Sequence, residues 1–390
     1  MIAELYRTAA GALLQQLTNN RNAVLALTRA LVEIESPSGD LAGSRAVVSV
    51  LADAARNLPG VTTVERMPVE NYGEHLRIHF YADDPRDTRT TLLLGHTDTV
   101  HPRGSLALRP WREHEGCIYG PGIYDMKANC ALALAALRAC ADAGLTPARP
   151  VVLLLTCDEE AGSNSGRALV EAEAQRAEHV LVLEPSAPGG RAKTARKGTG
   201  MYTLTIKGHA AHAGLDPEKG ASAIHELARQ IETLQALADA ARGTTVNVGV
   251  VSGGTRSNVV AAEARAEIDV RFSTEAEALR LDEAIKSLRP FDARTQLIVT
   301  GGINRPPLER NDGVVQLYEH ARRLAARFDY DLGETQVGGA SDGNFAAAVG
   351  ARVLDGLGLE GDGAHADHEH IKPADIVPRG ALLAALIATL

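Results

Sequence analysis

Three apolar runs constrain the fold of this 390-residue chain more than any other feature. They are "TTLLLGH" (90–96), "RPVVLLLTCDEE" (149–160) and "AEHVLVLEP" (177–185). Each is continuous rather than alternating, as in a strand buried on both faces. Between the first two lies "NCALALAALRACADAG" (129–144), a helical pattern ended by Gly144 and Pro147. Residues 3–35 read as another helix and "LRIHFYA" (76–82) as another strand. Strands alternating with helices predict an α/β domain whose mixed, largely parallel sheet is flanked by helices.

The texture changes after residue 197. "GMYTLTIKGHA" alternates like a strand with one wet face, and "PEKGASAIHELARQIETLQALADAA" reads as a long helix opened by Pro217. Two strands, a helix and a strand follow, giving β-α-β-β-α-β, the ferredoxin-like order. The chain is too long for one ordinary core. The expected organisation is an α/β domain over 1–197 and 307–390, interrupted by an α+β insert over 198–306.

Composition excludes some functions. A net charge of −9 argues against nucleic acid as the main partner. Cys117, Cys130, Cys140 and Cys157 show no C-x-x-C spacing and suggest no disulfide framework. The first twenty residues lack a signal-peptide pattern, and no run of 18 apolar residues suggests a membrane span. A cytoplasmic protein without a membrane partner is the expectation.

In an open α/β sheet, ligands bind beyond the carboxyl ends of the strands. The first apolar run ends in His96-x-Asp98, the second in Asp158-Glu159-Glu160, the third in Glu184. "YGPGIYDMKAN" adds Asp125 just before a helix, and "GDGAHADHEH" adds His365, with His368 and His370 nearby. Carboxylates at that density repel and take up protons unless a cation neutralises them. Imidazole with carboxylate suits zinc. The groups suffice for two ions, which would then share one carboxylate.

These residues lie in ten short motifs: "GHTDTV", "YGPGIYDMK", "TCDEEAGS", "EP", "GHAAHAG", "GGTRSNVV", "DVRF", "NRPP", "GGASDGN" and "GLGLEGDGAHADHE". In this order, over nearly the whole chain, they resemble the two-zinc aminoacylase and carboxypeptidase family. Within it the nearest type is glutamate carboxypeptidase, the carboxypeptidase G type. The resemblance implies that the insert is a dimerisation (lid) domain and the protein a homodimer.

It also implies roles. His96 and Glu160 would hold one zinc with bridging Asp125, and Glu184 and His365 the second with the same Asp125; Co2+ or Mn2+ could substitute. Asp98 would stand behind His96 and fix its tautomer. The Asp125–Met126 peptide would be cis. Glu159 would be the general base. On an extended strand end, Glu159 and Glu160 would point opposite ways and divide the two tasks. His212 of "GHAAHAG" would reach the active site of the other subunit and stabilise the oxyanion, with Asn258 as its companion. Arg271 and Arg305 would hold the substrate's α-carboxylate, which suits a planar guanidinium. Arg191 is the candidate for favouring a glutamate side chain, with Arg196 and Lys197 as alternatives. His365 is preferred over His368 and His370 because "GLGLEGDGAH" frames it and Glu369 keeps the family's spacing. Gly339 to Asp342 would shape the pocket wall; "VGGASDGN" lacks the lysine of a phosphate loop.

The expected reaction is cleavage of an amide bond that releases a C-terminal amino acid, glutamate first, from a peptidyl, acyl or folate-like conjugate. The alternative is a deacylase of N-acyl amino acids, of the acetylornithine or succinyl-diaminopimelate type. A metal-binding scaffold without activity is the third reading, and Glu159 argues against it. The partner in each enzyme reading is a small molecule or peptide with a free carboxylate.

Overall fold

The apolar runs form the middle of one sheet. A computed structural model describes residues 2–82 and 89–390. It has two units: Met1–Ala195 with Arg310–Val337 and Ser341–Leu390, and Arg196–Glu309 with Gly338–Ala340. The first unit begins with α1 (Ile2–Val32), α2 (Leu41–Arg56), β1 (Val61–Val69), β2 (Gly73–Phe80), β3 (Thr90–His96), α3 (Ala128–Asp142), β4 (Val151–Thr156), α4 (Arg167–Arg176) and β5 (Ala177–Val182). The second unit contains β6 (Gly198–Lys207), α5 (Ala223–Gln235), β7 (Thr245–Gly253), β8 (Glu263–Phe272), α6 (Glu275–Lys286) and β9 (Gln296–Arg305). The first unit resumes with α7 (Asp312–Ala325), β10 (Arg352–Leu354) and α8 (Ile376–Thr389).

Among the described residues the main sheet runs β1-β2-β4-β3-β5-β10. β3 lies parallel between β4 and β5, and β10 is parallel to β5, while β1 and β2 are antiparallel. Leu92 to Leu94 and Leu153 to Leu155 are fully buried. Leu93, Leu153 and Leu155 share one core with Val24 of α1, Leu132 of α3 and Leu383 of α8. Leu92, Leu94 and Leu154 alternate to the other face, as a strand's two-residue period requires. Burial on both faces explains why these strands read as unbroken apolar runs.

β1 and α2 are among the elements that were not legible. β1 is an edge strand with mostly exposed or half-buried residues, so it lacks the apolar run. α2 starts at an N-cap, where the Asp40 carboxylate accepts the Gly43 N–H at 2.9 Å.

In the second unit the sheet order is β7-β8-β6-β9, all antiparallel, with two helices on one face. This is the β-α-β-β-α-β order read from the sequence. One detail is corrected. Pro217 opens only a short 3-10 turn, Pro217–Lys219, and α5 begins at Ala223. Gly220 is extended there (φ −83°, ψ 152°), and Ser222 caps the helix by accepting the His225 N–H.

Glu277, in the first turn of α6, accepts hydrogen bonds from Arg280, Arg242 and Thr244. The Arg280 bond foremost holds its carboxyl down at about 2, against an ordinary 4.5. Its contribution to stability is therefore complete above the unfolded value and is lost as pH falls towards 2. Glu277→Gln is expected to lower the unfolding temperature at neutral pH and to converge on wild type towards pH 2, so that the fall across that window flattens. Thermal scans from pH 7 down to pH 2 check this.

Candidate metal centre and active site

His96 ends β3, and Glu184 follows β5 by two residues. Glu159 and Glu160 open a 3-10 turn, Glu159–Ala161, just beyond β4. They are not on an extended strand end, so the opposition expected of adjacent strand residues does not apply. Both backbone N–H groups of this turn point at Asp98. Glu159 N–H donates to its Oδ1 at 3.2 Å and Glu160 N–H to its Oδ2 at 3.1 Å, while Ser38 Oγ donates to Oδ2 at 2.5 Å.

Asp98 therefore has a wider role than expected. The His96 ring Nδ1 lies 3.0 Å from the Asp98 backbone oxygen and 3.5 Å from its carboxylate. With Nδ1–H donating to that oxygen, Nε2 is the ring nitrogen left for a ligand. The carboxylate itself chiefly holds the turn that carries Glu159 and Glu160.

Asp125 precedes α3 in a tight loop. Its peptide bond to Met126 is cis, and Gly122 has φ +69°. The loop lies against the end of β3, where a Cβ on Gly95 would come within 2.6 Å of the Met126 Cε. A side chain at position 95 would require the Met126 side chain to move.

The five expected ligands converge. His96 Nε2 is 3.1 Å from Asp125 Oδ1 and 3.4 Å from Glu184 Oε1. His365 Nε2 is 3.1 Å from Glu160 Oε2 and 3.5 Å from Asp125 Oδ2. Ligand atoms of His96, Asp125 and Glu160, the trio expected around one ion, lie within 4.8 Å of one another. The shortest contacts nevertheless divide the set differently, with Glu184 beside His96 and Glu160 beside His365. His365 has φ +65°, and its side chain is 55% exposed, whereas His96 is 1% exposed.

Electrostatics records the crowding. Burial works against charge on His96, yet Asp125, Asp98 and Glu184 drive its pKa well above the usual range. Asp125 and Glu160 raise His365 to about 10. Asp125 is held far below the usual carboxylate range against burial, by His365, His96 and Lys193. Burial first, and then Asp125, push Glu160 up. Without a cation the imidazoles must act as the counter-ions. One acceptor of the site remains unmatched: Glu160 Oε1 is buried with no hydrogen-bond partner among the described residues. A buried carboxylate oxygen left open beside two imidazoles and two further acids fits a divalent metal.

The remaining expected residues fall as follows. Glu159 is buried, at 8% exposure, which fits a working group better than a solvated surface acid. His212 and Asn258 are exposed neighbours in the second unit: His212 bridges to Val259, and Ala213 N–H donates to the Asn258 carbonyl at 3.0 Å. Arg305 is buried and Arg271 half-buried in that unit. Arg271 grips Asp269 with both arms of its fork, at 2.8 and 2.9 Å. Arg191 is exposed, and Arg196 is buried against the carbonyls of Gly339 and Ala340. Asp342 is no pocket wall. It is 3% exposed and accepts from the Thr156 and Ser163 hydroxyls, beneath the turn that bears Glu159.

Sequence reasoning missed Lys193, whose charge acts on Asp125, and His101, buried against Glu369. Neither sits at a strand end, which was the signal used. The four cysteines are free. Among the described residues no helix is long and apolar enough to cross a membrane.

Such a fold, with imidazoles and carboxylates gathered at the carboxyl edge of a largely parallel sheet, defines a metal-dependent hydrolase. Residues 92–389 match the family described as Peptidase family M20/M25/M40, and the chain belongs to that family. It is 30% identical over 379 residues to carboxypeptidase G2 of Pseudomonas sp. (strain RS-16), covering 96% of this chain and 90% of that protein. It is also 30% identical over 302 residues to a succinyl-diaminopimelate desuccinylase of Alkalilimnicola ehrlichii, covering 72% and 79%. Among solved structures, aminopeptidase PepT of Bacillus cereus superposes with a TM-score of 0.75 at 24% identity, covering 95% of this chain and 98% of that one. The metallo-carboxypeptidase Sso-CP2 of Sulfolobus solfataricus gives 0.71 at 17% identity, covering 94% and 99%. These two likenesses concern the fold.

Proposed function

We propose that this enzyme is a two-zinc carboxypeptidase that cleaves an amide bond and releases a C-terminal amino acid, glutamate in the first instance. The open Oε1 of Glu160 amid the converging ligands carries the metal part of the reading. From the shortest contacts, His96 and Glu184 would share Asp125 with one ion, and His365 and Glu160 would share it with the other. When bound, such ions lower the pKa of water in the site and polarise the scissile carbonyl.

The chain's own groups do the rest. Glu159, fixed by the Asp98-held turn, takes a proton from the attacking water and passes it to the leaving nitrogen. Arg305 holds the substrate's free carboxylate, and Arg271 joins it only by giving up Asp269. His212 and Asn258 meet the developing oxyanion from a second copy. A homodimer is supported by β7, an edge strand that exposes Val250 and Val251 and so offers a face for another chain. A cytoplasmic location completes the reading. Arg191 favours the glutamate side chain, with Arg196 and Lys197 as the alternatives.

The glutamate reading is supported by the coverage of carboxypeptidase G2, which exceeds that of the desuccinylase at the same identity. The desuccinylase likeness keeps an N-acyl amino acid deacylase as the second reading. A panel of glutamate conjugates, N-succinyl-diaminopimelate and acetylornithine, assayed on zinc-loaded enzyme, separates them. The expected result is the highest kcat/KM on glutamate conjugates; the highest value on succinyl-diaminopimelate would overturn it. Arg305→Ala is expected to raise KM on the preferred substrate about 10–100-fold, the loss of one charged hydrogen-bonding partner.

A further inference from the structure

We infer that Glu369 is the positioning residue for the metal centre, locking the loop that carries Asp125 to the turn that carries His365. The inference rests on the metal reading above and concerns a side chain that touches neither substrate nor metal.

Glu369 is 3% exposed, and its carboxylate accepts four hydrogen bonds. Oε1 receives the N–H groups of Tyr124 at 2.8 Å and Asp125 at 2.9 Å. Oε2 receives the N–H of Gly122 at 2.7 Å and His101 Nε2 at 2.5 Å. Gly120 N–H donates to the Glu369 backbone oxygen at 3.3 Å. The loop with Gly122 in the left-handed region and a cis Asp125–Met126 bond has no ladder to satisfy these amides. Successive inward N–H groups form a nest for an anion, and Glu369 supplies it.

The other side of the lock is short. Ala366 N–H donates to the Gly363 carbonyl and Glu369 N–H to the Ala366 carbonyl, closing a compact turn just after His365. Gly363 has φ +79°, and a Cβ there would fall within 2.9 Å of the Glu369 backbone. One carboxylate thus ties together two ligands 240 residues apart in sequence. His101, buried at 6% exposure, orients that carboxylate from a third segment.

A glutamine cannot replace it. If the amide nitrogen takes the place of Oε1, it faces two N–H donors. If it takes the place of Oε2, it faces the Gly122 N–H. Either way a buried donor is stranded and the Asp125 loop must shift. Losing a partner that orients a metal ligand typically lowers metal affinity 10–100-fold.

The test is a Co2+ titration of chelator-stripped protein against a competing chromophoric chelator, with the visible d–d spectrum recorded. Wild type is expected to take up two Co2+. Glu369→Gln is expected to bind at least one of them tenfold or more weakly with altered band intensity, and Glu369→Asp to recover part of the loss. A purely structural role would lower the metal-free unfolding temperature and leave affinity and spectrum of the folded protein unchanged; that result overturns the inference. If Glu369→Gln does not fold, His101→Leu decides: a severalfold loss of Co2+ affinity supports the lock, and an unchanged affinity and spectrum overturns it. Wild type that takes up no Co2+ would overturn the metal reading itself.

Discussion

Glu159→Gln is expected to cut turnover by on the order of a thousandfold or more while leaving metal content unchanged. General-base catalysis by a positioned carboxylate contributes about 10²–10⁴-fold, and here one group serves water and leaving nitrogen in turn. Glutamine keeps the shape and the backbone N–H that Asp98 accepts, so the turn should hold. It cannot take a proton. The measurement is kcat on the preferred substrate alongside zinc content by elemental analysis. Full turnover with zinc bound would show that another group takes the proton. Asp98→Asn offers a graded comparison. It keeps one acceptor for the turn but weakens the hold on Glu159 and Glu160 together, so both turnover and metal affinity should fall.

Metal removal is expected to abolish activity and to lower the unfolding temperature, with both restored by zinc. The ligand set explains the second effect. Asp125, Glu160 and Glu184 are gathered around two imidazoles, with Asp98 behind one of them, and Glu160 Oε1 has no hydrogen-bond partner among the described residues. A ligand that binds only the folded chain adds about 2.7 kcal/mol at a hundred times its Kd. Scanning calorimetry of stripped protein with and without added zinc measures this. A stripped enzyme with full activity and an unmoved transition would contradict the account.

Much of the fold was legible because its central strands are buried on both faces. "TTLLLGH" and "VVLLLT" have the length of strands and fall short of that of helices. The ligands were legible because strand ends in such a sheet are where chemistry collects. What could not be read depends on neighbours in space. β3 pairs with both β4 and β5, so His96 stands between the strand ends that lead to Glu160 and Glu184. Sequence order cannot say which of the two shares an ion with it, and the contacts favour Glu184. The Glu159–Glu160 turn also escaped, because Asp98, two residues beyond the end of β3, holds both of its N–H groups. Glu369 was visible only as a spacing from His365; three of its four donors are backbone N–H groups, which no residue type reveals. β1 lay hidden for the opposite reason to β3, since an exposed edge has no apolar signature.

The most direct test is anomalous diffraction at the zinc edge from crystals grown with zinc. The account predicts two peaks flanking the Asp125 carboxylate, one beside His96 and Glu184, the other beside His365 and Glu160. A single peak, or none, with these five side chains directed apart, would contradict it.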